Sequence, residues 1–409
     1  MSWRFTAGLF FLAMALPVRA GEVCSQERVK RAAEQVKLVQ AQLLAVKVGE
    51  DGTDWSVKDE TQKRIRALKD ALTASMDAFM ACERSDTIDA RDIESRVAAL
   101  LGANLPDTEQ KPIPDSAAKD LELDHIFGAD IKLHVRTEQH KPALVGIVTQ
   151  FAIACGTDNM LLLYQWSENG WRQVLRWQSD VYSNSLKAFG DFFEYAVFGE
   201  QRGDDWFVAA AHGKPSCTSS WSAFDLDVIR AQNAKTSQSV IFHKEAGYRR
   251  DVQPKMNEEA DGFELRLKVS TLDANSNERA GVYHYRLHQG QLHRYQPVAF
   301  NARDFLDEWL QADWMEATEW TARADLGSLG KEHDIIAEII QQHGSSEFHY
   351  GAVRACAGRK KLVQVELDGA PTGWFGYFQI EQDKDVFTLV SGSNSSDPKC
   401  AGPDLMARH

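Results

Sequence analysis

Outside its first twenty residues the 409-residue chain has no long apolar run, which excludes a later helical membrane span, since one needs about 20 consecutive apolar residues. Basic residues are scarce: 46 Lys and Arg stand against 59 Asp and Glu, a net charge of −13. Nucleic-acid binding rests on clustered Lys and Arg, and docking on anionic lipid needs basic clusters. Neither partner is expected. Diagnostic catalytic motifs are missing too. There is no Gly-x-Ser-x-Gly elbow. "GSLGK" at 327–331 has the wrong glycine spacing for a phosphate loop, with Glu332 where Ser or Thr is required. "DGTD" lacks the ligand spacing of a calcium loop. No cofactor, no metal and no catalytic residue are expected.

Residues 1–20, "MSWRFTAGLFFLAMALPVRA", place Arg4 before an apolar stretch from Phe5 to Leu16, then Pro17 and a Val-Arg-Ala ending. This is the pattern of a signal peptide cleaved after Ala20. Removal takes away Arg4 and Arg19, so the mature chain carries −15. The expected location is secreted or periplasmic. The six cysteines, Cys24, Cys82, Cys155, Cys217, Cys356 and Cys400, then read as disulfides.

The organisation of the chain favours one pairing. From Cys24 to Cys82 there is no proline, and apolar residues fall at helical spacing in two stripes: Val29, Ala33, Val36, Val39, Leu43 and Val46, then Ile65, Leu68, Leu72, Met76 and Phe79. Gly49 and Gly52 interrupt them, and Ser56 is the expected cap of the second helix. An antiparallel hairpin brings Cys24 beside Cys82, and closing that loop contributes roughly 4 kcal/mol. A short third helix runs from an Asp89 cap to a Gly102 stop, completing a unit over 21–102. Residues 103–127, with Pro106, Pro112 and Pro114, read as a linker.

Over 128–300 short alternating runs rich in Val, Tyr, Phe and Trp predict an antiparallel β domain. "LLLYQWSENGWRQVLRW" is a hairpin about Asn-Gly, and "GVYHYRLHQGQLHRYQ" is another about Gly290. Phe151, Phe207 and Phe263 open three apolar strands 56 residues apart, each followed by an aromatic strand, "LLLYQW", "WSAFDLDVI" and "VYHYRL". The period implies about three related units, propeller-like or a sandwich. Cys155 and Cys217 fall in corresponding loops of the first two units, hence a Cys155–Cys217 bridge. Over 301–409, helices with Phe305, Leu306, Trp309 and Leu310 and with Ile335, Ile336, Ile339 and Ile340 precede strands at about 347–356, 361–367, 373–381 and 385–391, an α+β unit closed by Cys356–Cys400. The fold class is therefore multidomain and mainly β: a helical hairpin, a central antiparallel domain and a C-terminal α+β unit.

"AAAHGKPSCTSSW" at 209–221 sets His212 near Ser216 and Cys217. Nucleophilic catalysis also needs an orienting carboxylate and an oxyanion hole, and neither is visible, so the disulfide reading is preferred. His284, His288 and His293 form a second cluster. With Gly290 and Gln291 as the turn, His288 faces His293, but Arg286 intervenes and no carboxylate lies in that window. Asp225 and Asp227 alternate with Phe224, Leu226 and Val228 and are expected on a solvated face. Trp166, Trp171 and Trp221, with His212, are the binding candidates, since a flat ring with a polar edge grips sugars or peptides. The expected function is non-catalytic binding of a protein or polysaccharide, enzyme inhibition being one form. A secreted hydrolase using the 212–220 loop is the alternative.

Overall fold

The computed structural model describes residues 24–46, 58–103, 127–138, 143–153, 156–179, 192–199, 206–214, 220–231, 238–343, 348–368 and 374–406. The expected signal segment, Ser56, most of the expected linker, and Cys155 and Cys217 lie outside them. The fold is mainly β, with sixteen strands in four antiparallel sheets and six α-helices among the described residues. No described helix is long and apolar enough to cross a membrane.

Helices α1 (Gln26–Leu44), α2 (Asp59–Met80) and α3 (Ala90–Leu101) form where the two apolar stripes and the short third pattern lie. Val29, Ala33, Val36, Val39 and Leu43 bury one face of α1 against Ile65, Leu68, Leu72, Met76 and Phe79 of α2. Cys24 is bonded to Cys82 across the open end of the hairpin. Asp89 caps α3 by accepting from the Arg91 N–H, and Gly102 ends it at φ 68°. Lys58 stands at the N-cap of α2 without a side-chain cap bond.

Each sheet is a meander in chain order. The first holds β1 (Lys132–Glu138), β2 (Leu144–Ile153), β3 (Gly156–Ser167) and β4 (Gly170–Gln178). The second holds β5 (Phe193–Gly199), β6 (Trp206–Gly213), β7 (Trp221–Ala231) and β8 (Gln238–Arg249), and the third β9 (Lys255–Glu259), β10 (Gly262–Val269), β11 (Arg279–His288) and β12 (Gln291–Arg294). Glu168 and Asn169 make the β3–β4 turn, and Gly170 follows at φ 102°. At the β11–β12 turn Gln289 and Gly290 both have positive φ, which two-residue hairpin turns demand.

Three cores hold these layers. One lies between α1–α3 and the first sheet, with Leu133, Ile147, Leu162 and Tyr164. A second lies between the first and second sheets, with Leu161, Leu163, Trp177, Val208 and Ile229. The third lies between the second and third sheets, with Phe198, Phe207, Phe224, Phe263 and Tyr285. The helical hairpin thus shares its core with the first sheet. Phe207 and Phe263 stand second in β6 and β10, whereas Phe151 is the eighth residue of β2 and opens nothing. The aromatic segments nevertheless fall on the third strand of each sheet.

In the C-terminal part, α4 (Ala302–Gln311), α5 (Trp314–Glu319) and α6 (Leu326–His343) pack on β13 (Phe348–Ala355), β14 (Lys360–Leu367), β15 (Tyr377–Asp383) and β16 (Val386–Ser393), and Cys356 is bonded to Cys400. Ile336 is buried, but Ile335 is 38% exposed and leaves the face expected of it. Arg279 and Arg294 from the third sheet are buried against Glu308, with Asp307 on Arg279, tying this part to the third sheet.

Candidate functional site

β6 reads "WFVAAAHG", and every residue of it is buried. Odd-numbered residues face the third sheet. Trp206, Val208, Ala210 and His212 face the first, opposite Ala231, Ile229, Asp227 and Asp225 of β7. This face is apolar at one end and polar at the other. Twisted sheets packed face to face diverge toward their corners. At the polar corner the gap stays open as a cavity of about 810 Å³, with the first sheet's β4 on one wall and α2 at the rim.

Side chains from five elements converge there. His212 is 6% exposed and tilts over Trp177 of β4, with ring centroids 4.9 Å apart. The other neighbour of Trp177 is Phe193, stacked at 4.8 Å. His212 Nε2 lies 3.5 Å from Asp225 Oδ2, and Lys214 Nζ lies 3.0 Å from Asp225 Oδ1 and 2.7 Å from Glu245. Burial opposes the Lys214 charge, but the bonds to Glu245 and Asp225 prevail and raise its pKa. Asp227 accepts from the Trp177 indole N–H at 3.3 Å and meets His243 Nδ1 at 2.8 Å. That bond to Asp227 raises the pKa of His243 against partial burial. From α2, Asp70 accepts from Arg176 at 2.7 Å, and Arg66 completes the lining.

The alternation expected for Asp225 and Asp227 is present, since both turn away from Phe224, Leu226 and Val228. Solvation is not. Their side chains are 13% and 18% exposed because the first sheet lies over that face. His212 belongs to this cavity. Ser216 and Cys217 lie outside the described residues, and the nearby Ser222 hydroxyl is bonded to the Lys214 carbonyl. A histidine oriented by a carboxylate is the base half of a nucleophilic triad.

The other sequence candidates are dispersed. Trp171 is buried, donates its indole N–H to the Ser85 carbonyl at 2.9 Å and meets Trp166 edge-on at 5.5 Å, so the pair fastens the β3–β4 hairpin to the connection between α2 and α3. Trp221 is half-buried under Arg249 at the start of β7. The turn at Gln289–Gly290 pairs His288 with Gln291 and His293 with Arg286, correcting the register expected there. His284 is buried between the Gln296 carbonyl and Glu259, a carboxylate that arrives from β9. No group of three or more His, Cys, Asp or Glu side chains among the described residues is arranged to hold a metal ion.

Lys214, His243, Trp177, Arg66 and Asp70 were not marked as site residues by the sequence. Asp225 and Asp227 stand opposite His212 and Ala210 through the β6–β7 register, but the connection between these strands has no tight-turn signature that would fix it. No protein-family model matches the chain, and no curated protein matches it.

Proposed function

We propose that the chain is an exported, disulfide-bonded, non-catalytic binding protein that holds a segment of polysaccharide in the cavity between its first and second sheets. One observation carries this reading: acceptors (Asp70, Asp225, Asp227) and donors (His243, Arg176, the Trp177 indole) line one cavity and are already paired with one another, with Lys214 also on Asp225. A purely apolar ligand would strand these groups. A hydroxyl both donates and accepts, so a sugar enters without breaking the balance. The volume is that of ordinary ligand cavities. Export is supported by the leader pattern and by two disulfides closing separate parts of the chain. The three stacked sheets are read as related units of a layered sandwich, supported by the shared position of the aromatic third strands.

The test uses Trp177 as its own reporter. Titrating mature protein with short oligosaccharides is expected to change tryptophan emission, and Asp227→Asn, which removes the charged acceptor from the indole, is expected to abolish the response. An unchanged spectrum with every sugar, together with no heat of binding, would remove the reading. The hydrolase alternative is favoured by one observation, the His212–Asp225 pair. It predicts turnover of glycoside or ester substrates that His212→Ala abolishes.

A further inference from the structure

Among the described residues, one cation on the cavity wall has no counter-charge. Asp225 is held by Lys214 with His212 beside it, Asp227 by His243 and Trp177, and Asp70 by Arg176. Arg66 stands one turn before Asp70 on α2, lines the same cavity, is exposed, and meets no carboxylate among the described residues. The opposite end is anionic, because Lys214 is shared between two carboxylates, Asp225 and Glu245. The cavity is therefore polarised, positive at the α2 rim and negative at its β7–β8 end. His243, 56% exposed in its side chain, sits between them with Nδ1 on Asp227 and Nε2 4.0 Å from Asp225.

We propose that the ligand of this cavity is an acidic saccharide, a hydroxylated ring bearing a carboxylate, that docks with its carboxylate on Arg66 and its hydroxyls toward Asp225 and Asp227. This rests on the saccharide reading above and adds ligand class and orientation to it. A guanidinium offers planar paired donors that match a carboxylate, and such charge-assisted bonds are about twice as strong as neutral ones. The acidity of the whole chain opposes an approaching anion, but that field is largely screened beyond roughly 8 Å at physiological ionic strength. Contact at Arg66 then decides.

The experiment compares a trisaccharide carrying one uronic acid with the same trisaccharide after its carboxyl is reduced to an alcohol, by calorimetric titration of mature protein. The acidic form is expected to bind roughly tenfold tighter, the scale of one charge-assisted contact at a partly exposed site. In Arg66→Gln its affinity is expected to fall to that of the reduced sugar, and raising salt to 0.5 M is expected to narrow the gap in the parent. Arg66 is exposed on α2 and meets no carboxylate among the described residues, so the variant is expected to fold. Equal binding of both sugars to the parent overturns the acidic-ligand inference and leaves the saccharide reading standing. A preference that survives in Arg66→Gln also overturns it. Binding of neither sugar removes both.

Discussion

Replacing Lys69 by methionine tests how this fold carries charge in its interior. Lys69 of α2 and Asp158 of β3 are 3% and 0% exposed in their side chains and sit 3.0 Å apart, with Lys69 also donating to the Ser179 carbonyl. Burial raises the Asp158 carboxyl and Lys69 beside it pulls it partly back, leaving it at about 6. Methionine keeps the length and packing of the side chain and removes the charge. Breaking one half of a buried pair costs about 3–5 kcal/mol. An independent route gives a similar figure. Without Lys69 the carboxyl must stay protonated, and holding a proton at pH 7 on a group whose unfolded pKa is about 3.9 costs about 4 kcal/mol.

The pH dependence follows with its sign. A folded-state pKa above the unfolded one contributes stability that is fully present below the unfolded value and lost as pH rises through the folded value. In Lys69→Met the cation that lowers it is gone and the folded value rises further, so lowering pH from 7 to 5 restores more, up to roughly 2.7 kcal/mol. In the parent, with Asp158 at about 6, the same change restores about half of that. The gap between the two proteins should therefore close by up to about 1.4 kcal/mol. Urea transitions at pH 5 and 7, followed by the emission of Trp171 against the connection between α2 and α3, measure it directly. A penalty below about 1 kcal/mol, or one that does not narrow with acid, would refute the assignment of a buried, paired charge.

At the far end of the molecule Glu308 is buried, but Arg294 and Arg279 overcome that burial and hold its carboxyl down at about 2. Its stabilisation is present above the unfolded value and lost as pH falls toward 2. Glu308→Gln is expected to cost about 3–5 kcal/mol at pH 7 and progressively less below pH 4, in the same denaturation assay. Gly146→Ala tests the contact between the first two sheets. A Cβ there would lie 2.1 Å from the Tyr195 hydroxyl, which Glu138 holds at 2.8 Å, so a loss of about 1–3 kcal/mol in thermal unfolding is expected.

Much of the architecture could be read from local pattern. The stripes of α1 and α2, the Asp89 and Gly102 ends of α3, the hairpin at Gly170 and the four C-terminal strands all depend on residues near one another in sequence. What failed depended on distance. Asp225 and Asp227 look solvated along β7 alone, and only the first sheet lying across them, with α2 at the rim, makes them walls of a cavity. His284 looked unsupported because Glu259 reaches it from another strand. The turn beside it was misplaced by one residue because Gln289, like Gly290, adopts positive φ, which glutamine seldom does. Trp171 and Trp177 each spend a face on packing and the indole N–H on an internal acceptor.

The run of alanines before His212 has a consequence for folding. A strand apolar on both sides carries no instruction about which side is which, so sliding β6 by one residue would exchange its two faces at small hydrophobic cost. The polar end of the strand breaks that degeneracy. Only one alignment sets His212 across from Asp225 and against Trp177, while Phe207, Ala209 and Ala211 meet the third sheet. His212, Asp225 and Trp177 therefore also act as the key by which the second sheet finds its alignment, and substitutions at these three are expected to disturb assembly as well as binding.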